Sequence, residues 1–456
     1  MKKVGLELTF SNFRPVSNLH YISKLTEKAA ALQFMNHVKD NCLFPIWSSA
    51  YLQYHSTETA LVKVHSDVAL SMDKQMVTML VLLDLSAAFD TVNHLILLKL
   101  LQQDFGIDGV ALQWFESYLS NRSQQVSSNG TLSKKVKLEC GVPQGSCLGP
   151  LLFSAYASSL AKVVSRHLPY THTYADDTQL YLSFRPSDDA TSAESITAME
   201  NCISDIRQWM LSYKLKINDS KTEFIMIGTP HQLEKLSFNS IRVGESEIQC
   251  VDQVRDLGVI LDKHMDMNMH IDKICKVGYF KLYKLKQIRK CLTRESIEAL
   301  VHAYISSQLD YCNALLYNLY DYQYDRLQKL QNAAARLIIR IPIWHHITPV
   351  LKELHWLPVK CRVDFKILLL VYKGLNGMAP KYISDMLVPV EKAYSLRSYK
   401  VLKVPRTDCK TLGDSSFAYA GPKLWNGLPD HIKSSKSLDI FKSKLKTQLF
   451  NYYYNA

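Results

Sequence analysis

Pro169-Tyr170-Thr171-His172-Thr173, Tyr174-Ala175-Asp176-Asp177 and Thr178-Gln179-Leu180-Tyr181-Leu182-Ser183-Phe184 follow one another without a break. The outer segments are β-prone, so the spacing predicts two strands with the Asp pair at the tip of their hairpin. Adjacent carboxylates repel one another unless cations neutralise them. A hard divalent metal suits such a pair, because Mg²⁺ prefers a few carboxylates together with phosphate oxygens. A solvated Asp-Asp turn is the competing reading, since Asp is a common turn residue.

A third carboxylate weighs against the plain turn. Val77-Thr78-Met79-Leu80-Val81-Leu82-Leu83 is almost continuously apolar and partly β-branched, which predicts a buried strand. It ends at Asp84, and Thr91–Leu101 then takes helical spacing. One Asp at a strand end beside two on a hairpin can build a two-metal site for phosphoryl transfer, steadying both the attacking and the leaving oxygen. Asp90, just before the helical stretch, reads first as its N-cap and only second as a metal ligand.

Between these motifs lies Gly141-Val142-Pro143-Gln144-Gly145-Ser146-Cys147-Leu148-Gly149-Pro150. Its glycines and prolines specify an unusual backbone path into the apolar stretch Leu151–Leu160. A tight loop explains Gly and Pro, but it explains less well why an amide, Gln144, stands there free to meet a ligand.

The order strand-Asp, Gly-Pro-Gln-Gly loop, Tyr-x-Asp-Asp hairpin resembles the reverse transcriptase of non-LTR (LINE-type) retrotransposons, in the Jockey and chicken-repeat branch. Similar stretches run along nearly the whole chain. Asn12–Leu19, His55–Leu61, Leu83–Asp90, Gly141–Pro150, Tyr174–Asp177, Leu215–Glu223 and Val254–Val259 carry it through the polymerase. Leu309–Leu316, Gln331–Arg336, Leu354–Pro358 and Leu424–Pro429 carry it beyond. The resemblance implies an α/β right-hand polymerase: fingers and palm over 1–262, a helical thumb over 263–341, and a mainly α, element-specific C-terminal region over 342–456. It also implies an RNA-directed DNA polymerase that joins a dNTP to a primer 3′-OH on an RNA template.

Residue roles follow from the same resemblance. Asp84 and Asp176 are the principal ligands of two Mg²⁺ ions, with Asp177 a weaker contributor and the Leu85 carbonyl completing one shell. Phe89 occupies the steric-gate position that excludes a ribose 2′-OH; its competing role is a core aromatic at a strand-to-helix turn. Gln144 lines the nucleotide and template pocket. Arg14 matches a fingers arginine that meets the triphosphate, where a guanidinium binds phosphate oxygens bidentately. Lys221 matches a lysine that protonates the pyrophosphate leaving group; an ordinary surface lysine is the alternative.

Two departures from the branch stand out. Ser48-Ser49-Ala50-Tyr51-Leu52 replaces the usual Gln-Ser-Ala-Tyr-Arg, which removes one potential phosphate or template contact, and Asn93 stands where Asp is more usual. Related elements carry an endonuclease before the polymerase and a zinc knuckle, and this sequence is expected to lack both, as a truncated element copy would. A catalytically impaired relic that only binds nucleic acid is therefore the main alternative function. A viral RNA-dependent RNA polymerase is another, and Phe89 argues against it, because such an enzyme must admit the 2′-OH.

Composition agrees. The 456 residues are 47% apolar and 21% charged, a folded chain of two or three domains, and its net charge of +12 favours a polyanionic partner. No apolar run approaches the ~20 residues of a membrane helix. Glu7 and Arg14 break any signal-like segment behind Met1-Lys2-Lys3. The ten cysteines include no Cys-x-x-Cys pair, and reduced thiols in a soluble intracellular protein, nuclear or cytoplasmic, are expected.

Further helices are predicted over Ile22–Lys39, Glu194–Tyr213, Val363–Leu375 and Phe441–Tyr453, and strands over Thr222–Gly228 and Val254–Leu261. In the thumb, Ile271, Ile274, Cys275, Gly278, Leu282 and Leu285 mark one helix face. Lys273, Lys276, Lys281, Lys284, Lys286, Arg289 and Lys290 populate the remainder. That basic face is either merely solvated or grips duplex phosphates, and the latter is the reading favoured here. The C-terminal aromatics read as an ordinary small core ahead of an RNA-stacking surface.

Overall fold

The computed structural model describes residues 16–85, 89–128, 130–186, 189–390 and 401–454, so Arg14 lies outside the described residues. At the centre is an antiparallel sheet of β1 (Val77–Leu83), β2 (Tyr170–Tyr174), β3 (Asp177–Phe184) and β4 (Glu223–Ile227), in the order β2-β3-β1-β4. β1 pairs with β3 from Val77 opposite Phe184 to Leu83 opposite Thr178, and with β4 from Thr78 opposite Ile227 to Leu82 opposite Glu223.

Successive strand residues point to opposite faces, so a continuously apolar strand serves two cores at once. Met79, Val81 and Leu83 join Leu180, Phe224 and Met226 on one face. Helices Tyr21–Asp40, His94–Gln103, Gly149–Ala157 and Asp189–Ser212 cover it, contributing Phe34, Leu97, Phe153 and Ile203. Leu80, Tyr181, Ile225 and Ile227 face the other way, against helix Thr57–Asp73, thumb helices Asn268–Ile288 and Asp321–Ile339, and C-terminal helices Val359–Leu375 and Leu438–Tyr454. Each such side chain contributes about 1.5–3 kcal/mol by leaving water. The fold is thus an α/β right hand with an α-rich C-terminal part.

The segments 263–341 and 342–456 share this second core, which runs without interruption from Leu61 through Leu330 to Trp425 and Phe441. Polar contacts reinforce the joint. Lys366 pairs with Glu58 at 3.1 Å, Arg362 Nε donates to Asp310 at 2.8 Å, and the buried Asp73 carboxylate accepts the N–H groups of Asp408 and Cys409. Trp356 and Trp425 are buried as core residues, whereas Trp344 is 80% exposed.

Three local expectations are corrected. Asp90 does not cap the following helix; Asn93 does, accepting from Ile96 N–H at 3.1 Å, and the helix runs His94–Gln103. Val254–Leu261 is not one strand but a hairpin, Gln253–Asp256 against Val259–Asp262, because Leu257 and Gly258 adopt positive φ and turn the chain. Arg289 is not on the basic face: it is buried and donates to the carbonyls of Leu337, Ile338 and Leu292, satisfying the open end of helix Asp321–Ile339. Among the described residues no helix is long and apolar enough to cross a membrane.

Candidate active site

Asp84 follows directly on β1, and continuing the β1–β3 register by one residue sets it opposite Asp177. The segment before β4 is laid along the same strand end. Asn218 N–H donates to the Asp84 carbonyl at 2.9 Å, and Leu85 bridges Ile217. This places Lys221 Nζ 2.9 Å from Asp84 Oδ2. Lys221 closes the short turn Asp219–Lys221, which Arg207 anchors by donating to Asp219 at 2.6 Å.

At the hairpin tip Tyr174 pairs with Asp177, leaving Ala175 and Asp176 as the turn, with Ala175 at a φ of +59°. Positive φ at a non-glycine residue is uncommon and gathers at functional sites. Two adjoining cavities open here. Asp84, Asp177 and Lys221 line one together with Arg255 and Asp256. Asp176 and Asp177 line the other with Tyr51, Thr57, Tyr174 and Arg255. Burial, with a smaller push from the Asp176 charge, raises the Tyr51 phenol above its usual range.

Arg255 reaches both cavities and was not singled out by sequence reasoning. The alternation in Gln253–Asp256, with Val254 and Asp256 buried and Arg255 exposed, is the signal that marks it. Asp256 lies beneath the site. Burial pushes its carboxyl up to about 7, against the lowering effect of the Gln179 hydrogen bond and with a smaller upward push from the Asp177 charge.

The Gly141–Pro150 loop is tied to the chain after Asp84. Val142 N–H donates to the Phe89 carbonyl at 2.8 Å, and the Gln144 amide donates to both Asp90 oxygens at 3.1 and 3.2 Å. Gly141 has a φ of +87°, and a Cβ there would lie 2.8 Å from the Asp90 carbonyl oxygen, so only glycine fits. Phe89 is half-buried with its ring 4.8 Å from that of Phe153. Neither Phe89 nor Gln144 lines the two cavities around the carboxylates.

On helix Asn268–Ile288, Lys276 and Lys284 are exposed, Lys273 and Lys281 half-buried. Lys273 has its ammonium pushed down by burial and, to a smaller extent, by the Arg255 charge. Lys281 and Lys284 lie over the rings of Tyr304 and Phe280. Phe280 and Tyr283 are exposed beside these lysines.

Comparison with known proteins gives this geometry its context. Residues 1–261 match the family model described as reverse transcriptase (RNA-dependent DNA polymerase). The chain belongs to the reverse transcriptase family. It is similar to the probable RNA-directed DNA polymerase from transposon BS of Drosophila melanogaster, at 26% identity over 75% of this chain and 38% of that one. The probable RNA-directed DNA polymerase from transposon X-element of the same fly is 24% identical over 72% of this chain and 36% of its own length. This reverse transcriptase chain therefore spans well under half the length of these relatives. Among solved structures, telomerase from Candida albicans with a fragment of telomeric RNA aligns over 76% of this chain and 55% of that one, at 13% identity and a TM-score of 0.36.

Reverse transcriptases generally use divalent metal, and the residues present fit such an ion. The donors at the sheet end are carboxylates, the hard oxygen ligands that Mg²⁺ takes. The Lys221 ammonium already sets a positive charge against Asp84. Among the described residues no three His, Cys, Asp or Glu side chains converge to enclose a metal.

Proposed function

We propose that this chain is an RNA-directed DNA polymerase acting on an RNA template, a DNA primer and dNTPs. The observation that carries the reading is the meeting of Asp84, Asp177 and Lys221 at one sheet end in a chain of the reverse transcriptase family. In this reading Asp84, Asp176 and Asp177, with the Leu85 carbonyl, hold two Mg²⁺ ions. When bound, these ions neutralise the charge that develops as the primer 3′-OH attacks the α-phosphate. Lys221 exchanges its bond to Asp84 for the leaving pyrophosphate and delivers a proton there. Arg255 and Arg14 offer guanidinium forks to phosphate oxygens. Gln144, held by Asp90, borders the template and nucleotide. Primer extension by the purified full chain tests the reading.

Phe89 is assigned to the sugar gate. Phe89→Ala is expected to raise rNTP incorporation relative to dNTP by on the order of a few kcal/mol of lost discrimination, because relieving a clash changes selectivity more than losing a contact. An unchanged ratio in competitive single-nucleotide extension returns Phe89 to the role its Phe153 contact alone would give it.

Lys273, Lys276, Lys281 and Lys284 are assigned to backbone phosphates of the primer–template. Changing all of them to Gln is expected to lower affinity for every sequence alike and to flatten the slope of log K against log salt by roughly 0.7–0.9 per contact. Stability is expected to shift by no more than about 0.5 kcal/mol at the exposed Lys276. Identical slopes for wild type and variant assign these lysines to solubility alone.

A further inference from the structure

Tyr382 belongs to the C-terminal region, yet its side chain is buried against the strand that carries the catalytic hairpin. Its hydroxyl lies 2.8 Å from Ser49 Oγ and 3.1 Å from Thr59 Oγ1, and Ser49 Oγ lies 2.7 Å from His172 Nε2. His172 is on β2, four residues before Asp176 in the chain. The polar atoms form one row: Thr59, Tyr382, Ser49, His172.

The protons in this row have a definite direction. Thr59 Oγ1 donates to the Ser56 carbonyl at 2.9 Å, so it accepts from the Tyr382 hydroxyl. Tyr382 has spent its proton and accepts from Ser49. Ser49 has then spent its own, and His172 donates from Nε2. The bookkeeping leaves His172 Nδ1 without a proton, and it is the ring nitrogen that lacks a hydrogen-bond partner. Burial, with smaller effects of His55 and Lys63, holds His172 neutral by lowering it to about 3, as a single-donor ring requires.

The row is coupled to the backbone of β2. Ser49 N–H donates to the Thr173 carbonyl and Thr173 N–H to the Trp47 carbonyl, both at 3.0 Å. Residues 47–49 thus form a short parallel rung on the outer side of β2, next to the hairpin tip. The Trp47 and His172 rings pack on the Tyr382 ring at 6.1 and 5.1 Å.

We propose that Tyr382 is a positioning residue for polymerisation: through Ser49 and His172, the C-terminal region fixes β2 and thereby the placement of Asp176 and Asp177. The inference rests on the polymerase reading. It explains why the C-terminal region is built into the core instead of appended to it. Removing the Tyr382 hydroxyl strands the Ser49 proton in a buried site, and a buried donor without an acceptor displaces its neighbours.

The test uses the full chain with Tyr382→Phe, Ser49→Ala and the double variant, each keeping its ring or backbone packing. Extension on primed RNA is expected to fall about ten-fold or more in kcat for either single variant, since small misplacements of reacting groups carry costs of that size. KM for dNTP and Kd for primer–template are expected to stay within about two-fold, and the double variant to be no slower than the slower single one, because both break the same row. Amide hydrogen exchange at Thr173, read without substrate or metal, is expected to quicken roughly ten-fold while the thumb helices keep their protection.

A kcat that is unchanged, or that falls only with the folded fraction, overturns the proposal, as does unchanged exchange at Thr173. A wild-type chain that extends no primer overturns the polymerase reading and this role with it. Extension by wild type with unaffected variants overturns the positioning role alone.

Discussion

Replacing Asp84 by Asn is expected to abolish primer extension, with a loss of about 10³-fold or more, while primer–template affinity stays close to that of wild type. The change keeps the shape of the side chain and removes its charge. Several kcal/mol of transition-state stabilisation depend on that charge when cations are to be held against a phosphoryl group, and each 1.36 kcal/mol is about ten-fold in rate. Affinity is expected to survive because, in the proposed function, it comes from phosphate contacts away from these carboxylates. Asp84→Asn also releases Lys221 from its 2.9 Å ion pair, so the measurement needs a partner. Asp177→Asn lines the same cavity and is expected to give the same loss. Single-turnover extension and equilibrium binding, measured on the same preparations, separate the two quantities. Retained extension in either variant contradicts the assignment of the carboxylates.

The second large effect concerns stability. Trp425→Ala is expected to cost about 3–5 kcal/mol, the usual range for deleting a fully buried indole. Trp425 has no exposed surface, packs 6.1 Å from the Phe441 ring, and Phe441 in turn stacks on Tyr372 at 4.2 Å. These residues share one core with Leu330 of the thumb and Leu80 of β1. The cavity therefore weakens thumb and inner palm as well as the C-terminal helices. Urea unfolding followed by far-ultraviolet circular dichroism and by tryptophan fluorescence is expected to move to lower denaturant with both probes together. Loss of the C-terminal signal alone, with the thumb unfolding at its original midpoint, contradicts a continuous core.

Much of the site is legible in the sequence because its parts are locally encoded. Val77–Leu83 is an unbroken apolar run ending in a lone Asp, and the β-prone segments around Tyr174–Asp177 leave little but a hairpin. The thumb face of Ile271, Ile274, Cys275, Gly278, Leu282 and Leu285 is buried throughout. Gly278 explains itself in the structure: a Cβ there would sit 2.5 Å from Leu330. Local signals failed where two residues competed for one role. Asp and Asn are both residue types that favour helix caps, Asp90 and Asn93 lie three positions apart, and the helix starts from the later one.

Other features depend on partners far along the chain, for which spacing offers no sign. Arg289 fits a basic helix face by period alone, yet carbonyls about fifty residues further on draw it inside. The Leu257-Gly258 turn sits between Val254-Arg255-Asp256 and Val259-Ile260-Leu261, which both read as strand, and it shows itself in the backbone angles. Tyr382 reaches Ser49 across 333 positions, so nothing near Tyr382 in the sequence betrays its place beneath the hairpin.

The central claim is that this chain copies RNA into DNA, and the most direct measurement is extension of a DNA primer on a homopolymer RNA template by the purified chain with Mg²⁺ and the complementary dNTP. The account predicts product that lengthens with time, requires the divalent ion, releases one pyrophosphate per nucleotide added and disappears in Asp84→Asn. A folded chain that binds the primer–template but adds no nucleotide contradicts it.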